Sequence, residues 1–360
     1  MTKNKRNMDL FVPGRICLFG EHSDWAAEYG LNMGYCLVTG TNQGLRAEAS
    51  SSDRFVVETQ LCDHLGRPVG RTRRMACPWE TQVLFDVAKD KDEFFRFCAG
   101  VAHEFIGDPG VSGGLCLKIT KMDLPLRKGV ASSAAVCVLV AEAFNAIYQL
   151  GRFRHELMDI AYRGEQLTGS QCGRMDQACI YGQTPVLLVF DTTSNFRVLP
   201  VLPRQDIYMF FVDLAGSKET KRILADLHSV YSENRELQRA LGSENEGILR
   251  SACGLLEAGD AKGLGRLMIH AQEIFDRVVA PHSPEQLASP LLHQLLAFKE
   301  ILPHVWGGKG VGSQGDGTAQ FVARSKEDRK QAMAIITQSF PEMQCFPLTI
   351  VRANKEERQE

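Results

Sequence analysis

The chain has 360 residues, enough for two domains with sizeable cores, and its 44% hydrophobic and 23% charged residues are ordinary for a soluble globular protein. A net charge of −2 with no basic block excludes a dedicated nucleic-acid surface. The start MTKNKRNMDL lacks the apolar core of a signal peptide, and the longest apolar run, Val136 to Ala143, is too short to span a bilayer, so a cytoplasmic protein with no membrane segment is expected.

Eleven cysteines lie scattered without C-x-x-C pairing, several (Cys17, Cys116, Cys137) in apolar surroundings. That pattern suits buried thiols in a reducing compartment rather than a disulfide frame or a zinc site.

Asp9 to Phe19 reads as a strand interrupted at Pro13-Gly14. Gly20-Glu21-His22-Ser23-Asp24-Trp25 follows at once, with Arg15 just upstream. Three ionisable side chains at a strand end can converge on a ligand, form a solvated turn, or contribute to a metal site. Gln43 to Ser50 and Arg54 to Leu61 alternate apolar and polar residues and predict a half-buried hairpin. Leu65 to Pro78 reads as a loop with a solvated face of Arg71, Arg73 and Arg74. Thr81 to Ile106 reads as helix and Gly113 to Lys121 as strand.

Leu124 to Tyr148, LPLRKGVASSAAVCVLVAEAFNAIY, predicts a small-residue loop and then a buried helix of about four turns. A helix N-terminus carries unpaired N–H groups and positive dipole charge, so such a loop suits an anion, above all phosphate. Arg127 and Lys128 add charge there. Ser132 and Ser133 can cap the helix or offer a hydroxyl to a metal ion. The loop is not a Walker A motif. Phe153 to Thr168 has helical periodicity with Glu165 near its end. Gly169 to Gln177 is turn-rich and carries Asp176, either a partly desolvated carboxylate or the cap of a following helical turn.

Pro185 to Phe190 reads as strand, and after Asp191 the texture changes, placing a domain boundary near Asp191 to Asn195. Ile207 to Leu214 reads as strand. Four helices are expected over Lys218 to Leu241, Glu246 to Ala258, Ala261 to Val279 and Pro284 to Ile301. Gly307 to Gly317 holds six glycines in eleven residues, for ligand approach or a tight hairpin. A strand from Thr318, a helix over Ser325 to Phe340 and a strand over Cys345 to Val351 complete the chain.

Three motifs in this order resemble the GHMP kinases, the family of galactokinase, homoserine kinase, mevalonate kinase and phosphomevalonate kinase. They are Pro13-Gly14-Arg15 through Asp24, Pro125 through Ala135, and Gly307-x-Lys309-x-x-Gly312-x-x-Gly315-x-Gly317. Cys172-Gly173-Arg174-Met175-Asp176-Gln177 also looks like the C-G-x-M-D-Q segment of galactokinases. The resemblance runs from about Asp9 to Val351. It implies an α+β, two-domain GHMP kinase fold. The ribosomal-S5-like N-terminal domain would span 1–193 and the ferredoxin-like C-terminal domain 194–360, with ATP and acceptor in the cleft between them.

The resemblance also implies roles. Lys128, Gly129, Val130, Ala131, Ser132, Ser133 and Ala134 would hold the ATP phosphates, with Gly312 and Gly315 closing from the C-terminal half. Ser133 and Glu165 would ligand Mg²⁺, a hard cation suited to oxygen ligands. Asp176 would take the acceptor's proton beside Arg15, which cannot deprotonate. Glu21, His22, Asp24 and Gly173 match positions that bind the sugar. The sequence departs from the galactokinase pattern at Arg127, Lys128 and Ala131, at Gln314 and Asp316, and in Trp25 to Gly30, which replaces N-G-G. Val212 to Gly216 also differs from its galactokinase counterpart. Glu165 precedes Asp176 by eleven residues, one fewer than usual, which makes it the less secure metal ligand.

The expected activity is therefore ATP-dependent phosphorylation of a monosaccharide at its anomeric hydroxyl, by a monomer or homodimer using ATP and Mg²⁺. The alternatives are a kinase of a non-sugar alcohol, of the mevalonate or homoserine type, and a non-catalytic sensor of sugar and ATP. For a substrate carboxylate the candidate cations are Arg127, Lys128, Arg174 and Lys309.

Overall fold

The computed structural model describes residues 7–62, 68–124, 132–170, 172–192 and 195–353. Strand β1 (Asn7–Phe19) carries Pro13-Gly14 within it and leads into a one-turn helix, α1 (Ser23–Ala27). Three strands follow, β2 (Gly34–Ser52), β3 (Arg54–Cys62) and β4 (Pro68–Pro78). The segment expected to be a loop over 65–78 is thus largely the strand β4, with its arginines 71, 73 and 74 exposed as expected. The helix expected over 81–106 is two helices, α2 (Thr81–Lys89) and α3 (Arg96–Glu104). Between them Asp90 accepts from the Asp92 N–H at 2.9 Å and Glu93 from the Phe95 N–H at 2.9 Å. Such local side-chain bonds compete with the helix ladder.

Strand β5 (Gly114–Met122) and helices α4 (Ser132–Tyr148) and α5 (Arg154–Leu167) come next, then β6 (Val186–Thr192), β7 (Asn195–Pro200) and β8 (Ile207–Asp213). The helical stretch expected over 218–241 divides into α6 (Thr220–Tyr231) and α7 (Arg235–Arg239), because Asn234 caps α7 by accepting from the Leu237 N–H at 3.0 Å. Helices α8 (Asn245–Ala258) and α9 (Ala261–Ile274) match expectation. The stretch 284–301 divides into α10 (Pro284–Leu287) and α11 (Pro290–Leu296), where Pro290 opens a new helix. Strands β9 (Val305–Gly310) and β10 (Thr318–Ala323), helix α12 (Lys326–Ser339) and strand β11 (Gln344–Ile350) finish the fold.

The chain forms two compact units, Met1–Arg15 with Gln43–Gly182, and Ile16–Asn42 with Gln183–Glu360. In the first unit the strand order is β4-β3-β5 and then the second half of β2. Strand β3 pairs in parallel with β5, and β5 pairs antiparallel with β2. The expected hairpin of β2 and β3 therefore does not form, because β5 separates the two. Helix α4 is buried nearly all round and packs on α3 and α5. Phe144 stacks on Phe105 at 4.5 Å and on Phe55 at 6.3 Å. A Cβ on Gly100 of α3 would stand 2.2 Å from the Gly164 carbonyl oxygen of α5. Only glycine allows this approach, which fixes α5 against α3 next to Glu165.

In the second unit the first half of β2 pairs with β6, and β6 with β7. A separate antiparallel sheet has the order β11-β8-β10-β9. Counted from β8, that order is 4-1-3-2, the expected ferredoxin-like arrangement. Its core joins Phe210, Val212 and Phe321 to Leu292, Leu295, Ala332 and Ile336. No helix among the described residues is long and apolar enough to cross a membrane. No disulfide forms among the described cysteines; Cys17 and Cys137 are buried as expected, whereas Cys116 faces outward from β5 and is exposed.

Candidate active site

In the first unit, Asp176 opens a short helical turn over 176–181 without capping it, since Met175 holds the cap position. The carboxylate is directed instead to Arg15 of β1, with which it forms an ion pair and hydrogen bond; Arg15 is 4% exposed and Asp176 29%. The pairing is the one the resemblance implies. A guanidinium stays charged at any working pH, and its hydrogen bond to the carboxylate is charge-assisted.

Glu165, 1% exposed, lies near the end of α5. It accepts from Gln177 Nε2 at 2.8 Å and from Ser170 Oγ at 3.3 Å. Burial, and then the nearby Asp176 charge, push its pKa up to about 7, while hydrogen bonds from Ser133, Gln177 and Ser170 partly offset this. The spacing of eleven residues thus still brings Glu165, Ser133 and Asp176 into one neighbourhood. Ser132 and Ser133 begin α4, half-buried, and Ala134 behind them is fully buried. Lys128, Gly129, Val130 and Ala131, with Arg127, lie outside the described residues. Gly173 precedes the turn, and its carbonyl accepts from the Asp176 N–H at 3.4 Å. Arg174 is engaged locally, paired with Asp159 and stacked 4.6 Å from the Tyr162 ring centroid.

In the second unit, Gly20 turns the chain at φ 97°, and a Cβ there would stand 2.2 Å from the Tyr35 carbonyl oxygen. His22 follows in the left-handed region at φ 68°. Glu21 and Lys309, 8% and 1% exposed, form a buried ion pair, and Lys309 Nζ also donates to the Gly310 carbonyl at 2.8 Å. Asp24 is half-buried on α1. His22 is 4% exposed; Trp25 Nε1–H donates to its Nδ1 at 3.0 Å, and Phe275 stacks against it at 6.0 Å. Burial is the main cause that lowers the His22 pKa to about 4.

The glycine-rich segment is half strand and half loop, since Gly307 to Gly310 belong to β9. Gly312 and Gly315 adopt φ 68° and 71°, as a tight loop requires. Gln314 sits at φ 60°, sterically costly for a residue with a Cβ, and is buried. Lys218 holds its carbonyl through an Nζ donation at 2.6 Å. Asp316, a carboxylate in a segment expected to meet phosphate, accepts from the Leu292 N–H at 3.0 Å and so caps α11. Among the described residues no group of three or more His, Cys, Asp or Glu gathers as a metal cage.

Residues 92–183 match the family profile of the GHMP kinases N terminal domain. The galactokinase of Thermococcus kodakarensis is 26% identical over 299 residues, covering 73% of this chain and 76% of the relative. That of Thermotoga petrophila is 25% identical over 294 residues, 74% and 77% of the two chains. The structure of L. major mevalonate kinase in complex with R-mevalonate superposes with a TM-score of 0.72 at 19% identity, over 98% of this chain and 99% of that one. Lactococcus lactis galactokinase complexed with galactose gives 0.69 at 18% identity, over 97% and 94%. Residues 92–183 thus match a GHMP kinases N terminal domain, and the chain is similar to galactokinases over about three quarters of its length.

The matched profile and the galactokinase relatives indicate a phosphotransferase that uses ATP and has an alcohol group as acceptor. Sequence reasoning named Arg15, Asp176 and Glu165 but missed the company they keep. Gln177, which fixes Glu165, stood unused in the C-G-x-M-D-Q segment. Lys309 was an unranked cation, and its pairing with Glu21 spans 288 positions with no local signal. Lys218 gave no signal at all.

Proposed function

We propose that this protein transfers the γ-phosphoryl group of ATP directly to the anomeric hydroxyl of a monosaccharide, giving a sugar 1-phosphate and ADP. The observation that carries the reading is Asp176, left uncommitted by its helical turn and paired with the buried Arg15. Asp176 takes the hydroxyl proton as the acceptor oxygen bonds to phosphorus and the bond to the ADP oxygen breaks. Arg15 holds the Asp176 carboxylate in place through their ion pair and favours the developing alkoxide. Most of the remaining catalysis is positioning and charge neutralisation.

The N-terminus of α4, with Ser132, Ser133 and Ala134, offers N–H groups and dipole charge to the phosphates. Ser133 and Glu165 are hard oxygen donors on one side of that end, and they fit Mg²⁺ that is otherwise held by phosphate and water. The ion would neutralise phosphate charge. Glu21, His22 and Asp24 supply acceptors and one donor for sugar hydroxyls, and the galactokinase relatives favour a sugar over other alcohols.

An ADP-release assay with Mg-ATP against free sugars, mevalonate and homoserine tests the reading. Turnover on a sugar, with phosphate at C1 by ³¹P NMR, supports it. Turnover only on mevalonate or homoserine overturns it, and nucleotide binding without turnover on any acceptor returns the sensor alternative.

A further inference from the structure

His22 is held by a residue that the galactokinase-like pattern does not contain. Trp25 lies one turn along, 9% exposed, in the segment that departs from N-G-G. It is wedged against His228 at 4.3 Å and edge-on to Tyr231 at 5.3 Å, so its indole direction is set by packing. The indole N–H points at His22 Nδ1 at 3.0 Å. An indole nitrogen can only donate, so Nδ1 must present its lone pair, and the neutral ring carries its proton on Nε2.

The groups that surround the ring enforce this. Phe275 covers one face, and Lys218 ahead of α6, His228 on α6 and Lys309 on β9 contribute positive charge or its potential. The Ser313 backbone of the glycine-rich loop approaches the ring, and Nε2 makes no hydrogen bond of normal geometry. The neighbouring Glu21 carboxylate is committed to Lys309, and Asp24 is half-buried on α1.

We propose that Trp25 is a positioning residue that makes His22 an obligate hydrogen-bond donor through Nε2, so that the acceptor group recognised there is an oxygen offering a lone pair. This rests on the reading of His22 as a residue that binds the acceptor. It deepens that reading by naming the chemistry selected: a hydroxyl, ring oxygen or carboxylate is taken at this position, and an ammonium, which can only donate, is refused. A sugar or a sugar acid therefore fits, and a sugar with an amine in place of the recognised hydroxyl does not.

The first test needs no substrate. In the full-length protein with ¹⁵N-labelled histidine, and with His22→Gln to assign the resonance, His22 at pH 7 should show a pyridine-type Nδ1 and a pyrrole-type, protonated Nε2. Trp25→Phe, which keeps an aromatic ring but removes the donor, should abolish that pure tautomer. An Nδ1–H tautomer or an imidazolium in the unmodified protein overturns the proposal, even if the variant does not fold.

The second test uses the sugar found by ADP release and analogues with one hydroxyl at a time replaced by fluorine or by an amine. At one ring position the fluoro analogue should keep kcat/KM within about tenfold of the sugar, while the amine loses about 10²-fold or more. That gap should narrow in Trp25→Phe, with KM moving more than kcat. An amine accepted at every position, or an unchanged gap in the variant, overturns the proposal. If no alcohol is phosphorylated, the sugar-kinase reading fails by itself, while the tautomer measurement still decides the role of Trp25.

Discussion

Replacing Lys309 by methionine should destabilise the second unit severely, and replacing Glu21 by glutamine at the same time should rescue most of the loss. The two side chains are 1% and 8% exposed and paired with each other. Removing one partner of a buried ion pair leaves an uncompensated charge and costs about 3–5 kcal/mol, whereas removing both charges is often close to neutral. The unit has roughly 200 residues, a size at which each kcal/mol moves Tm by about 2–4 °C. Lys309→Met should therefore lower the transition of that unit by roughly 6–20 °C in calorimetry, and Glu21→Gln/Lys309→Met should recover more than half of the shift. A single variant that melts within about 2 °C of the parent, or a double variant no better than the single, would refute the reasoning.

Glu165 has a pKa raised to about 7, chiefly by burial and then by Asp176. Below that value it is protonated and a poor metal ligand, so the Mg²⁺ concentration for half-maximal activity should fall as pH rises from 6 to 8, and Glu165→Gln should flatten the profile. Because the folded pKa lies above the unfolded one, stability is fully present below the ordinary carboxylate range and is lost as pH rises through 7; Glu165→Gln should remove that part of the slope of Tm against pH. Gly20→Ala places a Cβ 2.2 Å from the Tyr35 carbonyl in a left-handed position, and should cost about 3 kcal/mol or more by denaturant titration, with loss of acceptor binding. Arg15→Met should lower kcat by about 10²–10³-fold in single-turnover assays and leave nucleotide affinity within a few-fold.

What could be read in advance was the local periodicity and the family motifs. Helix α4 was readable because its apolar residues continue all round, and α5 because its apolar positions recur on one side. The pairing of β2 was not, because alternation marks a half-buried strand without naming its neighbour. Strand β5, which follows two helices, enters between β2 and β3. Strand β4 was hidden by its arginines and by flanking glycine and proline, although an exposed edge strand carries such residues readily. At the candidate site, motif positions pointed to Arg15 and Asp176, 161 residues apart. The partners that set their neighbours' chemistry, Lys309 for Glu21 and Trp25 for His22, follow from tertiary packing, which no local pattern encodes.

The central claim is that Asp176 is the base of phosphoryl transfer. The most direct measurement is the single-turnover rate of Asp176→Asn with its best acceptor, beside equilibrium binding of Mg-ATP to the same variant. The account predicts a rate lower by about 10²–10⁴-fold with nucleotide affinity unchanged within a few-fold. A variant that transfers phosphate within about tenfold of the parent rate would contradict it.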